Sequence, residues 1–140
     1  MKGVNYHKIM EILPPKKIKI INIEKKGRGV IATQDIKKDE IIEFCPIIFI
    51  SNKEVDFLKI ESDILKFYYL WQYAINKYCL MLGYGSLYNH SLNPNADVDY
   101  DIKEPKNYLF FQAIKDIKAG EEILIDYEFD NNKEEFLKLN

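Results

Sequence analysis

A chain of 140 residues with 47% apolar and 14% aromatic side chains has enough material for one hydrophobic core. Its 20 basic and 22 acidic residues leave a formal net charge of −2, so it has no electrostatic footprint for gripping a phosphate backbone, and direct nucleic-acid binding is not expected. The longest apolar run, residues 41–50, carries Glu43 and Pro46 and is far shorter than the ~20 residues needed to span a bilayer, so no membrane segment is expected either.

In chain order, the first residues read as a short helix without the apolar stretch of a signal peptide, broken by Pro14 and Pro15. Ile18, Ile20 and Ile23 predict a strand, because β-branched residues dominate there. Gly27-Arg28-Gly29 interrupts it, and the strand pattern resumes as VIATQDI. After the turn KKDE, the run IIEFCPIIFI is a further strand in which Pro46 implies an edge or a kink. Residues 53–76 lack Gly and Pro and mix apolar with charged positions, which predicts a short helical insert whose FYYLWQY portion turns into strand. YCLMLGYG reads as a buried strand running into a glycine turn, and the acidic DVDYDIKEPKN precedes the strand YLFFQAI. DIKAGEE is a turn before ILIDYEF, and the tail, residues 130–140, suggests a short helical turn. The expected fold is mostly β, one domain over residues 1–140.

The chain contains two cysteines and two histidines. This inventory builds neither an ordinary structural zinc site nor a disulfide framework, so no metal is expected and a reducing, intracellular setting follows. His90 is the one histidine in the body of the domain, preceded by Asn89. Ser86 lacks the flanking glycines of a nucleophile elbow, which argues against a Ser-His hydrolase. Gly27-Arg28-Gly29 reads either as a tight hairpin or bulge, or as a place where backbone amides approach a ligand. It is not a dinucleotide fingerprint, since a third glycine and a following helix are missing. Asn93-Pro94-Asn95 is a turn in which asparagine side chains would bond their own backbone. Tyr127, one of ten tyrosines, follows a turn and a strand.

Taken in order, GRGVIATQDIKKDEII, NHSLNPNA and GEEILIDY resemble the SET-domain family of protein lysine methyltransferases over about residues 18–129. The resemblance implies a fold of several small curved β-sheets with a C-terminal pseudoknot, in which the Asn-His segment and the last strand pass one another. It implies S-adenosylmethionine as cofactor, with the Lys26, Gly27, Arg28 and Gly29 backbone at its methionine end and Asn89 and His90 near the methionyl amine and adenine. Tyr127 matches the family's active-site tyrosine. Phe129 and Tyr84 are the first choices for the walls of a lysine channel, with Tyr69 a third; core packing is the competing role for Tyr69 and Trp71.

The chain departs from the family pattern in places. No cysteine cluster follows Tyr127, and Phe136 would cover the adenine instead. Ile125 stands where many members carry Phe or Tyr, which leaves mono-, di- and trimethylation open, and Leu92 replaces the usual cysteine after the Asn-His-Ser triplet. The wording is closest to compact bacterial or viral members. Asp97, Asp99, Asp101 and Glu104 form an acidic run that would attract a basic lysine-containing peptide such as a histone tail, unless they are only a solvated loop. A peptide could also add as a strand to a sheet edge. The compartment would be the cytoplasm, or a host nucleus. The alternative reading is a SET-like peptide- or partner-binding module without turnover, and a homodimer completing the surface is a further option.

Overall fold

The computed structural model describes residues 11–65, 69–98 and 107–127. β1 (Ile18–Ile23) and β2 (Gly27–Ala32) form an antiparallel hairpin. Its reversal lies at residues 24–26, where Lys25 takes a left-handed φ of 68°. Gly27-Arg28-Gly29 is therefore not an interruption but the start of β2, paired with Ile23, Asn22 and Ile21. The strand ends at Ala32, short of the VIATQDI run, because Ile36 is drawn into a separate reciprocal bridge with Ile117, 2.7 Å in each direction.

β3 (Ile41–Ile50) is followed by helix α1 (Asn52–Glu61), β4 (Leu70–Ala74), β5 (Lys77–Met81), β6 (Asn89–His90), β7 (Ala96–Val98), β8 (Tyr108–Ala113) and β9 (Leu124–Ile125). Five strands form one antiparallel sheet in the order β4-β5-β3-β8-β7. Pro46 is in its central strand, not at an edge. It sits where β3 changes partners, since residues up to Pro46 face β8 and Ile47 onward face β5. The Pro46 carbonyl still accepts from Leu82 N–H at 2.8 Å, so a residue without an N–H is tolerated at the handover.

A register shift between Ile41 and Glu43 sets which face of β3 turns inward, so that Glu43, Cys45 and Ile47 share the buried side. They meet Leu109, Phe111 and Ala113 of β8, the buried half of a period-two pattern. Helix α1 begins with a capping box: Ser51 Oγ accepts the Glu54 N–H at 3.3 Å and Glu54 Oε2 accepts the Ser51 N–H at 2.9 Å. The insert is thus helix and then strand, as its composition predicts. Two sheets of two strands complete the described architecture, β1-β2 and the parallel pair β6-β9. The latter brings the Asn-His segment alongside the C-terminal segment, the side-by-side passage that the resemblance implies.

Candidate active site

The glycine turn between β5 and β6 is built around a buried carboxylate. Glu43 is only 3% exposed, and its Oε2 accepts the Tyr84 N–H at 2.9 Å while Oε1 accepts the Tyr88 hydroxyl at 2.6 Å. Gly83 has a φ of +66°, and a Cβ there would lie 2.8 Å from Glu43 Oε2. Only glycine lets the chain reverse this close to the carboxyl. Burial pushes the Glu43 carboxyl above the usual carboxylate range, opposed by hydrogen bonds from Tyr88, Tyr84 and the Cys45 thiol. The Cys45 thiol is itself pushed up strongly by burial and by the Glu43 charge, so it stays neutral.

The turn delivers Asn89 to the mouth of the β1–β2 hairpin. Asn89 Nδ2 donates to the Arg28 carbonyl at 2.9 Å and to Glu122 Oε1 at 2.7 Å. Glu122 Oε2 pairs with Lys26 Nζ at 2.8 Å. One carboxylate of the third motif therefore holds both Asn89 of the second and Lys26, the residue just before the first. At Gly29 a Cβ would stand 2.9 Å from Glu122 Oε1 and 3.0 Å from Asn89 Nδ2, so this glycine makes room for the junction. Gly27 differs: at a φ of +82° a side chain there would meet nothing within 4 Å, and the backbone beside it is open to an incoming group.

The rings of His90, on β6, and Tyr127, two residues past β9, lie tilted to each other with centroids 5.2 Å apart. The Tyr127 N–H donates to His90 Nδ1 at 3.1 Å, so the neutral ring carries its proton on Nε2. Asp126 Oδ1 lies 3.7 Å from the same Nδ1. The Tyr127 hydroxyl donates to the Tyr88 carbonyl, which commits its proton and turns the oxygen lone pairs elsewhere. Asn95 does not bond its own backbone. Its carboxamide bridges to the C-terminal segment, donating to the Glu122 carbonyl and accepting the Leu124 N–H, each at 2.8 Å. That bridge fastens β9 against the Asn-His segment.

The family profile of the SET domain matches residues 27–128. The chain belongs to the SET-domain family. Among relatives, the H3 lysine-37-specific histone-lysine N-methyltransferase of Schizosaccharomyces pombe is 32% identical, over 79% of this chain and 72% of that one. The N-lysine methyltransferase KMT5A-A of Danio rerio is 33% identical over 75% of this chain, which spans only 33% of that longer relative. A crystal structure of a candidate histone methyltransferase from Plasmodium falciparum superposes with a TM-score of 0.65 at 39% identity, covering 83% of this chain and 96% of the other. The SET-domain chain is, by this kinship, a protein lysine N-methyltransferase.

Of the residues expected at the site, Lys26, Gly27, Arg28, Gly29, Asn89, His90 and Tyr127 fall into one connected cluster. Tyr84 lies partly buried against the core and is tied to it through Glu43. Tyr69 is half-buried just before β4, and among the described residues no hydrogen bond links it to the cluster. Trp71 packs edge-on to Phe111 at 6.0 Å, the arrangement of a core residue. Phe129 and Phe136 lie outside the described residues, as do Asp99, Asp101 and Glu104; Asp97 is exposed. The residues that motif reading alone missed are Glu43, Asn95 and Glu122. Glu122 and Asn95 stand inside the recognised motifs, so the sequence contained them, but only folding reveals their partners.

Proposed function

We propose that this SET domain transfers a methyl group from S-adenosylmethionine to the ε-amine of a lysine in a basic protein segment such as a histone tail. Tyr127 is the catalytic residue in this reading, and Asn89, His90 and the 26–29 backbone form the cofactor cradle. The observation that carries it is the Tyr127 hydroxyl, anchored on the Tyr88 carbonyl beside His90. A phenol held this way offers its oxygen to the weak C–H···O contacts that steady a polarised methyl.

The donor set suits the cofactor. Both amide protons of Asn89 are spent on Arg28 and Glu122, so toward an ammonium group it offers Oδ1, an acceptor. The open face beside Gly27 admits close backbone contact. When bound, S-adenosylmethionine supplies an electrophilic methyl and a positive sulfonium charge. The lysine must arrive neutral from a reference pKa of about 10.4, which a narrow apolar channel promotes by disfavouring the ammonium. Tyr84, Phe129 and Tyr69 are assigned to that channel, and Phe136 to the adenine. The protein's own contribution is alignment of the reacting atoms. A histone substrate would place the enzyme where histones are, in a nucleus of its own or of a host.

The test is transfer of labelled methyl to core histones and whole-cell lysate, with mass spectrometry of the labelled lysines. Tyr127→Phe should lower turnover on the order of 100-fold while calorimetric cofactor affinity is retained. Near-normal turnover would remove Tyr127 from the catalytic role. His90→Ala should weaken cofactor binding about tenfold, and unchanged affinity in a folded variant would make this segment purely structural.

A further inference from the structure

We infer that Glu43 is a positioning residue, which sets the placement of the Tyr127 hydroxyl and of the Tyr84 wall through the residue 83–88 turn. The inference rests on the methyltransferase reading for its kinetic consequence only. Glu43 lies on β3, directly after the first motif and 40 residues before the turn, and its two oxygens hold the two ends of that turn. Oε2 takes the Tyr84 N–H at 2.9 Å and Oε1 takes the Tyr88 hydroxyl at 2.6 Å. The same Tyr88 presents its carbonyl to the Tyr127 hydroxyl. Tyr88 is 1% exposed and its ring stacks edge-on to Phe111, 4.6 Å between centroids. The ring and hydroxyl of Tyr88 are thus held in the core, and the acceptor of the Tyr127 hydroxyl is the carbonyl of that same residue. A shift of Glu43 moves Tyr88, and with it the acceptor that orients the catalytic phenol.

The surroundings are fitted to this arrangement. Gly83 has no Cβ where one would meet Glu43 Oε2, and at Gly85 a Cβ would fall 2.9 Å from Cys45 Sγ. The turn lies directly on β3, with the carboxyl as its peg. Hydrogen bonds to a carboxyl in such a dry place are strong and intolerant of misalignment.

Two variants test the proposal, Tyr88→Phe, which removes one hydroxyl and keeps the ring, and Glu43→Gln. Each is read in two ways. In protein labelled with 13C at tyrosine Cζ, the Tyr127 resonance, assigned by its disappearance in Tyr127→Phe, reports the state of its hydroxyl hydrogen bond. In steady-state methylation of a histone peptide, kcat and KM are separated. The expected result is a displaced Tyr127 resonance with kcat lowered about 10- to 100-fold, at nearly unchanged calorimetric cofactor affinity. An unmoved Tyr127 resonance in both variants overturns the proposal whatever the turnover. A moved resonance with unchanged kcat, or a kcat loss matched by loss of cofactor affinity, also overturns it. If the unmutated protein methylates nothing while the variants still displace the resonance, the positional link stands and the methyltransferase reading falls.

Discussion

Gly83 shows how much a single atom can matter. Its φ of +66° is one that side chains rarely adopt, and the volume where a Cβ would sit lies against Glu43 Oε2. Gly83→Ala would combine backbone strain with displacement of a buried carboxyl, and should cost about 1–3 kcal/mol in urea denaturation. Gly27→Ala is the useful control. It has the same backbone sign but nothing within 4 Å, so strain is its only penalty and its loss should be the smaller of the two. Equal losses would show that Glu43 gives way freely. The glycines of the turn were legible in the sequence as glycines. What they avoid was not, because Glu43 stands 40 residues earlier in the chain and looks there like one charged position in an apolar strand.

Between elements, the instructive case is the β6–β9 pair, only two residues long in each strand. Parallel pairing of that length does not hold by itself, and Asn95 reinforces it by filling both a backbone donor and a backbone acceptor of the 122–124 segment. Asn95→Ala should leave the Leu124 N–H and Glu122 carbonyl without these partners, at a cost of about 1–3 kcal/mol. It should also speed amide exchange at Leu124 far more than at residues of β8. Uniformly faster exchange would mean that the bridge supports the fold generally and not this crossing. The sequence identifies the elements well where period and composition agree, as in β8; it expects helix within residues 53–76 but not its bounds, because the Ser51 cap that starts α1 lies ahead of that stretch. It misplaces Gly27-Arg28-Gly29 as an interruption because local reading sees glycines and not the pairing with β1. Glu122 is missed for a related reason: its partners Asn89 and Lys26 are 33 and 96 residues away, and no spacing rule links them.

At the scale of the whole molecule, Glu43 makes stability depend on pH. Its folded carboxyl keeps its proton to higher pH than an unfolded one, so the stability contributed by protonation is fully present below about pH 4.5 and is lost as pH rises through the raised folded value. Glu43→Gln, which cannot ionise, should gain on the parent protein across that window when both are unfolded in urea from pH 4 to 8. Parallel profiles would mean that the carboxylate is as well satisfied charged as neutral. Comparing the two proteins is essential because Glu40, held below the usual range mainly by its hydrogen bond from Lys17, acts with the opposite sign. Its contribution, present at higher pH and lost on acidification, cancels in the difference.

The junction at Glu122 also governs the order of events during synthesis. Asn89 leans on Arg28, emitted early, and on Glu122, emitted late, and Tyr127 comes later still. A nascent chain not yet extended past residue 121 can form the β1–β2 hairpin and pair β3 with β5, but it has no phenol and no carboxylate to close the cluster. Such contacts between distant parts of the chain form slowly and late. Turnover is therefore a reporter of the last folding step, and refolding followed by activity should lag behind refolding followed by strand content.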